Sequence, residues 1–134
     1  FSGLARVADL RGLSVVDASA LDSIESCDWL LLCTGQSEKW GSEEYFGTEP
    51  LFTEAFVKAA ARIARKGIGL DCSGLDREGV ALHCVWFSSG GGLMVENLTD
   101  LEMLLSESQI LFAAYPLKLA AGDGAPVRAV AVLG

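Results

Sequence analysis

Two residues of metal-binding type lie thirteen positions apart in this sequence: His83, which is the only histidine of the chain, and Glu96. Imidazole nitrogen and carboxylate oxygen are common ligands of zinc and other divalent metals. Three glycines, residues 90–92, separate the two side chains along the sequence. A catalytic zinc usually has three protein ligands and one open position, so His83 and Glu96 alone do not complete a catalytic centre.

Two short elements must position this pair. Residues 79–88 fit a short helix that carries His83 and ends at the glycines, and residues 93–96 fit a strand. A lone histidine on such a helix is more often a hydrogen-bonded interior residue than a ligand. Glu96 favours the interpretation of His83 as a metal ligand. It follows an apolar stretch that should be buried, where an unpaired carboxylate is costly. Both interpretations stay open.

The preceding segments predict an α/β domain. The apolar run 28–33 is typical of a strand buried on both faces. Residues 53–66 fit a helix with Thr53 as N-cap and Gly67 after its last turn, and residues 68–71 fit a strand. This strand–helix–strand order favours parallel pairing. Four further pieces are expected: strands at 5–10 and 14–17, a short helix at 19–26 and a helical turn at 100–105.

The end of the chain predicts a β-hairpin. Residues 110–119 and 126–133 flank Ala-Gly-Asp-Gly-Ala, which is a strong turn signal. An antiparallel hairpin together with a parallel unit indicates a mixed sheet. A length of 134 residues suits one domain, so we expect residues 1–134 to form a single α/β domain.

A long connection offers a second candidate for function. Residues 34–50 show no periodicity, and loops of this length often bind ligands. Three aromatic residues, Trp40, Tyr45 and Phe46, could contact a ligand or another subunit. A plain surface loop is the alternative.

Two polar turns are weaker candidates. Asp71, Asp76 and Glu78 could indicate carboxylate catalysis, but we favour a solvated turn in which aspartate side chains bond to backbone groups. The glycines at 90–92 could indicate a phosphate loop. They lack both the GxGxxG and the GxxxxGK[ST] patterns, so that signal is weak.

Composition disfavours several classes of partner. The chain has 18 acidic and 10 basic residues, a net charge of −8, and no basic stripe, which argues against nucleic acid and anionic membranes. No apolar run approaches the ~20 residues of a membrane-spanning helix, and no signal peptide is visible. The four cysteines form no CxxC pair. We expect reduced, mostly buried thiols of a cytoplasmic protein, with a metal or redox site as the alternative.

The order of these segments resembles the cyclase family of metal-dependent hydrolases, which includes bacterial kynurenine formamidase (arylformamidase). The resemblance covers nearly the whole chain, and the shared order of its motifs is fairly specific. The matching stretches are Leu-Leu-Leu-Cys-Thr-Gly at 30–35, Gly-Leu-Asp-Cys-Ser-Gly-Leu-Asp at 69–76, Leu-His at 82–83, Val-Glu-Asn-Leu at 95–98, Pro-Leu-Lys at 116–118 and Asp-Gly-Ala-Pro-Val-Arg-Ala-Val-Ala at 123–131.

The resemblance implies a swivelling β/β/α fold and a one- or two-metal centre, commonly zinc or manganese. Such a centre activates water to attack an amide, formamide or ester carbonyl. His83 and Glu96 would be metal ligands, whereas catalytic and substrate-binding residues stay unassigned. The substrate would be a small molecule, and N-formylkynurenine of tryptophan catabolism is the best-known type.

One departure from the family is large. Its main signature, H-x-G-T-H-x-D-x-P-x-H, supplies most metal ligands and is absent here. In the family it lies just before a segment that resembles residues 1–10. We therefore expect an N-terminally truncated, C-terminal part of such a hydrolase, which is inactive or nearly so by itself.

The alternative is a non-catalytic member of the family that serves as a binding or oligomerisation module. His83 and Glu96 would then form a hydrogen-bonded pair without metal. Apolar edges left uncovered predict a homo-oligomer under either hypothesis.

Overall fold

The chain folds around a six-stranded mixed sheet. A computed structural model describes residues 1–134. The elements in chain order are β1 (Ser2–Asp9), β2 (Val15–Val16), β3 (Cys27–Cys33), β4 (Leu51–Phe52), α1 (Glu54–Ile63), β5 (Ala64–Leu70), α2 (Ala81–Ser88), β6 (Leu93–Val95), β7 (Ile110–Pro116) and β8 (Val127–Leu133). The sheet order is β6-β5-β3-β1-β7-β8, and β2 pairs with β4 in a separate small sheet.

Both kinds of pairing expected from the sequence are present. Strands β1, β3, β5 and β6 are parallel, while β7 pairs antiparallel with β1 and with β8. The predicted α/β class with a mixed sheet is confirmed. Because the carboxyl ends of parallel strands meet at one edge, Thr34, Asp71 and Glu96 follow their strands at the same edge. In open α/β sheets this edge commonly carries the site.

Strand β3 forms the centre of the core and is buried on both faces, as predicted. Leu30 and Leu32 point toward a cluster that includes residues of both helices. Trp29 and Leu31 point to the opposite face, against a short 3₁₀ turn at Leu101–Leu104. Hydrophobic residues on both sides of one strand explain the continuous apolar run at its position.

Helix α1 is shorter than the sequence indicates. It begins as expected, because the hydroxyl of Thr53 accepts a hydrogen bond of 3.2 Å from the backbone N–H of Phe56. The prediction that it continues to residue 66 is wrong, since β5 already begins at Ala64. The basic residues instead reach Asp28: Arg65 Nε lies 3.3 Å and Lys66 Nζ 3.2 Å from its carboxylate.

Gly67, which the sequence placed after the end of that helix, lies inside β5. It pairs with Leu93 of β6 and with Trp29 of β3. A Cβ atom at Gly67 would overlap the carbonyl oxygen of Leu93. Glycine is needed here because the neighbouring backbone approaches too closely for any side chain.

Other boundaries also differ from expectation. The segment 19–26 contains only a 3₁₀ turn, Ala18–Leu21. Asp17 caps this turn, because its Oδ1 accepts a hydrogen bond of 2.8 Å from the backbone N–H of Ser19. The carboxylate fixes one turn, and the chain then turns into β3 rather than continuing as a helix. The segment 100–105 is likewise a 3₁₀ turn, and β7 ends at Pro116 rather than at residue 119.

Two further expectations concern the membrane and the thiols. Neither helix is long and apolar enough to cross a bilayer. All four cysteines are free; Cys27, Cys33 and Cys72 are buried and Cys84 is exposed. The prediction of mostly buried thiols is confirmed.

Candidate metal site

Asp71 joins the ends of β3 and β5. Its side chain is completely buried and accepts three hydrogen bonds: 2.8 Å from Thr34 N, 2.5 Å from Thr34 Oγ1 and 2.8 Å from Gly35 N. The expectation of a solvated turn is wrong for this residue. Asp71 instead satisfies the N–H groups of the neighbouring loop, which fixes the edge of the sheet on which the site is built.

Asp76 holds the beginning of helix α2. Val80, the residue at the N-cap position, has no side-chain oxygen, and the carboxylate of Asp76 takes that role. It accepts 2.8 Å from Leu82 N and 3.0 Å from His83 N. The Asp76 side chain is only 6% exposed, so it is not solvated as the sequence suggested, whereas Glu78 is.

His83 lies between two carboxylates. Its Nδ1 is 2.7 Å from Asp76 Oδ2 and its Nε2 is 3.3 Å from Glu96 Oε1. The prediction that the glycine turn brings Glu96 back to His83 is confirmed as a contact. The expectation that Glu96 is buried is wrong, because its side chain is 34% exposed. Glu96 directly follows β6, which has only three residues and lies at the edge of the sheet, so the strand does not cover the Glu96 side chain from solvent.

The environment of Asp76 determines which imidazole nitrogen is free. Burial by itself would raise the pKa of Asp76, but hydrogen bonds from His83 and from the N–H groups of Leu82 and His83 hold it below its usual value. The carboxylate is therefore ionised at neutral pH and accepts the Nδ1 proton. If the other imidazole nitrogen is unprotonated, its lone pair faces Glu96 Oε1 at 3.3 Å, and a metal ion between the two atoms would satisfy both; a second proton on the imidazole would do the same.

The spacing of these atoms fits a bound divalent metal. Two ligands at about 2.1 Å from a tetrahedral zinc lie about 3.4 Å apart, and Nε2 and Oε1 are separated by 3.3 Å. A carboxylate on the second imidazole nitrogen is the usual support of a metal-binding histidine. In His83 that support comes from Asp76.

Gly74 leaves room beside the pair. Its φ of +149° is a conformation that side chains rarely adopt. A Cβ atom at this position would lie 2.8 Å from Glu96 Oε1 and 3.2 Å from His83 Cε1. The absence of a side chain at residue 74 therefore preserves the open space around both candidate ligands.

The pair is only part of a ligand set. No group of three or more His, Cys, Asp or Glu side chains is placed to hold a metal ion. The residues present supply two candidate ligands and the carboxylate that orients one of them. The remaining positions of a catalytic centre have no ligand within the chain.

The loop at 34–50 contacts the site through Tyr45. The Tyr45 hydroxyl donates a hydrogen bond of 2.6 Å to Oδ1 of Asn97, the residue after Glu96. Asn97 has φ of +58°, so its backbone turns sharply beside the candidate ligand. Burial raises the pKa of Tyr45 to about 12, which keeps this donor protonated at neutral pH. The sequence gives no sign of this contact beyond an aromatic residue in a polar loop.

Gln36 organises that loop from inside. It is buried, and its amide nitrogen donates 2.5 Å to Tyr45 O, 3.3 Å to Glu44 O and 3.0 Å to Thr48 Oγ1. One side chain thus gathers the backbone that presents Tyr45. Sequence patterns did not reveal this role, because a single glutamine in a polar stretch has no distinctive spacing.

Two exposed aromatic rings pack against Tyr45. Trp40 and Phe46 contact its ring edge-to-face, with centroids 4.9 Å and 5.0 Å away. They are 64% and 69% exposed. The loop therefore presents an aromatic surface next to the site, which supports the ligand or subunit contact considered from the sequence.

Glu49 is a buried carboxylate without a partner. It is 2% exposed, and its Oε2 has no hydrogen bond. The guanidinium of Arg77 donates to the backbone oxygen of Glu49 rather than to its side chain. Burial is the main cause that raises the pKa of Tyr45 and the pKa of Cys72, each to about 12. The nearby negative charge of Glu49 contributes to both increases.

Comparison with known proteins finds a sequence relative and solved structures that share the fold of this chain. No family model matches the chain. It is 31% identical over 114 residues to an uncharacterized protein of Methanocaldococcus jannaschii, MJ0783; the match covers 84% of this chain and 58% of that protein.

Solved structures share the whole architecture. A potential metal-dependent hydrolase with cyclase activity has a TM-score of 0.74 and 26% identity over 96% of this chain and 63% of its own. Isatin hydrolase A from Ralstonia solanacearum has a TM-score of 0.81 and 20% identity over 100% of this chain and 61% of its own. The chain thus spans less than two thirds of the proteins that it matches. Its structural neighbours thus include a potential metal-dependent hydrolase with cyclase activity and an isatin hydrolase, and the chain has their cyclase-like fold.

Proposed function

We propose that the chain is the downstream part of a metal-dependent hydrolase in which His83 and Glu96 are two of the metal ligands. The observation that carries this proposal is the 3.3 Å separation of His83 Nε2 and Glu96 Oε1, with Asp76 on the other imidazole nitrogen. Zinc and manganese are the metals proposed. The name of the hydrolase with 26% identity supports a metal-dependent activity.

Each residue of the proposed metal site has a distinct role. A divalent metal there would supply a Lewis acid that activates water and polarises an acyl carbonyl. His83 and Glu96 would hold it, and Asp76 would keep His83 in the tautomer with a free Nε2. The Tyr45–Asn97 hydrogen bond fixes the backbone immediately after Glu96. Trp40 and Phe46 offer apolar surface to a substrate beside the site.

The proposed substrate is a small molecule with a formamide, cyclic amide or related acyl bond. Isatin is itself a cyclic amide, and proteins that hydrolyse it have this fold. The aromatic residues of the loop at 34–50 suit an aryl group. An arylformamidase-like activity is the particular form that we propose.

The remaining ligands are proposed to come from polypeptide outside these 134 residues, because the chain offers no third one. The coding sequence in frame before Phe1 is then expected to contain H-x-G-T-H-x-D. The purified 134-residue chain is expected to hydrolyse no formamide at a measurable rate. Measurable hydrolysis by that chain alone would contradict this part of the proposal.

Metal analysis of the longer polypeptide tests the assignment of ligands. His83→Ala and Glu96→Ala are each expected to lower bound metal after dialysis, whereas Glu54→Gln on α1 leaves it unchanged. Equal metal content in all variants would remove both residues from the site. Absence of the upstream motif together with absence of metal would favour the non-catalytic alternative, in which a protonated His83 simply bridges two carboxylates.

A further inference from the structure

An apolar cavity lies between the loop of the β7–β8 hairpin and the face of the sheet that carries Trp29. Its volume is about 270 Å³. Apolar cavities of about 150 Å³ are large enough to hold benzene, so a small organic molecule fits here. The wall is mostly apolar and includes Leu93, Val95, Ala114, Pro116, Leu117 and Leu119.

The indole of Trp29 forms part of this wall and has an unused hydrogen-bond donor. Trp29 is completely buried, and its Nε1 has no hydrogen-bond partner in the chain. The other two indoles differ, because Trp86 Nε1 donates a hydrogen bond of 2.9 Å to Gly92 O and Trp40 is exposed to water. A buried N–H without an acceptor is costly and therefore rare. The cavity offers space for an acceptor that the chain itself does not supply.

The two edges of the Trp29 indole have different neighbours. Cζ3, on the edge opposite Nε1, packs against β5 and lies 2.9 Å from the position that a Cβ atom would take at Gly67. The N–H edge therefore faces away from β5, toward β1 and β7. On that side Ala114 and Pro116 of β7 line the cavity. An acceptor inside the cavity can approach the N–H group from there.

We propose that this cavity binds a small neutral molecule with an apolar body and one carbonyl oxygen, which accepts a hydrogen bond from Trp29 Nε1. The unpartnered N–H selects an acceptor, and the apolar wall selects the apolar body. Charge disfavours a carboxylate, because the ionisable side chain in the wall is the acidic Asp123 and the chain carries a net charge of −8.

This proposal does not depend on the metal site. Trp29 lies near the amino end of β3, whereas Asp71 and Glu96 follow the carboxyl ends of their strands. Loss of metal from His83 or Glu96 variants is therefore expected to leave binding in the cavity unchanged.

Acetophenone and α-methylstyrene are matched probes of nearly the same shape, in which a CH₂ group of the hydrocarbon replaces the ketone oxygen. NMR of the ¹⁵N-labelled complete polypeptide resolves the indole N–H signals, and Trp29→Phe assigns that of Trp29. Acetophenone is expected to move the Trp29 signal further downfield than α-methylstyrene does, while the signals of Trp40 and Trp86 stay in place. No shift, or the same shift with both probes, overturns the proposal. Polypeptide outside these residues that fills the cavity would exclude both probes, which also overturns it.

Relative affinities test the hydrogen bond, and a second variant tests the location. Trp29→Phe keeps an aromatic ring but removes the donor, so acetophenone is expected to lose about fivefold in affinity relative to α-methylstyrene. The ratio of the two probes cancels the packing that both lose. Ala125→Phe, at a partly buried position in the wall, is expected to block both probes, and Ala55→Phe, exposed on α1, is the matched control. An unchanged ratio in Trp29→Phe, or undiminished binding to Ala125→Phe, overturns the site.

Discussion

Asp76 Oδ2 and His83 Nδ1 are 2.7 Å apart, and the same carboxylate holds the N–H of His83 at 3.0 Å. One side chain therefore fixes both the ring and the backbone of the candidate ligand. Asp76→Asn keeps an oxygen for the helix N-terminus but removes the charge. We expect metal affinity of the metal-binding protein to fall by about 10- to 100-fold.

Competition with a chromogenic chelator measures that affinity. Asp123→Asn, in the exposed hairpin loop, is the control for loss of one negative charge. Unchanged affinity in Asp76→Asn would show that the carboxylate does not support a ligand.

Substitution of Gly74 tests whether the space beside His83 and Glu96 must stay free of a side chain. Gly74→Ala is expected to destabilise the fold and to displace Glu96, because the new Cβ would lie 2.8 Å from Glu96 Oε1. Gly79→Ala is the matched control, since Gly79 also has positive φ, +76°, but nothing within 4 Å of its Cβ position. We expect the loss of unfolding free energy to exceed that of Gly79→Ala by about 1 kcal/mol. Urea titrations of both variants check this, and equal losses would contradict it.

Replacement of Glu49 is expected to stabilise the fold. Its buried oxygen has no partner, and an unsatisfied buried carboxylate is costly. Glu49→Gln removes the charge at constant shape and is expected to raise the free energy of unfolding by about 1 kcal/mol. Denaturant titration measures the effect, with exposed Glu78→Gln as a neutral control. Destabilisation by Glu49→Gln would mean that this carboxylate has a favourable partner.

The ion pairs of Asp28 predict that the stability of the folded chain depends on pH. The hydrogen bond from Lys66 is the main cause that holds the pKa of Asp28 below its ordinary value of 3.8. A carboxyl with a lowered pKa in the folded state contributes stability above pH 3.8, which is lost as pH falls through the folded pKa. The melting temperature of Asp28→Asn should therefore lie below wild type at pH 7 and approach it near pH 2–3. Asp22→Asn is the control, and a difference that does not shrink in acid would contradict the role of Asp28.

The thiols differ in reactivity. Cys72 is buried, and burial raises its pKa to about 12, whereas Cys84 is exposed. Thiolate is the reactive form, so iodoacetamide at pH 8 should modify only Cys84 in the folded chain. Mass spectrometry is expected to show one adduct natively and four after unfolding, the number of cysteines in the sequence. Rapid native modification of Cys72 would show that its surroundings open.

The sequence predicts elements whose signal is local. The apolar run of β3, the Thr53 cap and the turn of the hairpin each depend on neighbouring residues, and each is present in the structure. The end of α1 was mispredicted because Arg65 and Lys66 look like the last turn of a helix. Their partner, Asp28, lies 37 and 38 positions away.

The candidate site was predictable only in part. His83 and Glu96 have metal-binding chemistry, and the glycine turn between them indicated that they meet. The sequence predicts a solvated turn at Asp76, because nothing in its spacing reveals that this residue caps α2 and bonds the imidazole. Gln36, Tyr45 and Glu49 act through contacts between distant segments, and such contacts leave no periodic pattern.

The close approach of β6 to β5 at Gly67 has a consequence for how the distance between His83 and Glu96 is set. Glu96 follows a strand of three residues, and the pairing of Gly67 with Leu93 and of Gly69 with Val95 fixes where that strand ends. A shift by one residue would turn every side chain of β6, and Glu96 after it, to the opposite face. The distance between His83 and Glu96 therefore depends on the register of β6 with β5. A methyl group at residue 67 would change that distance without contacting either side chain.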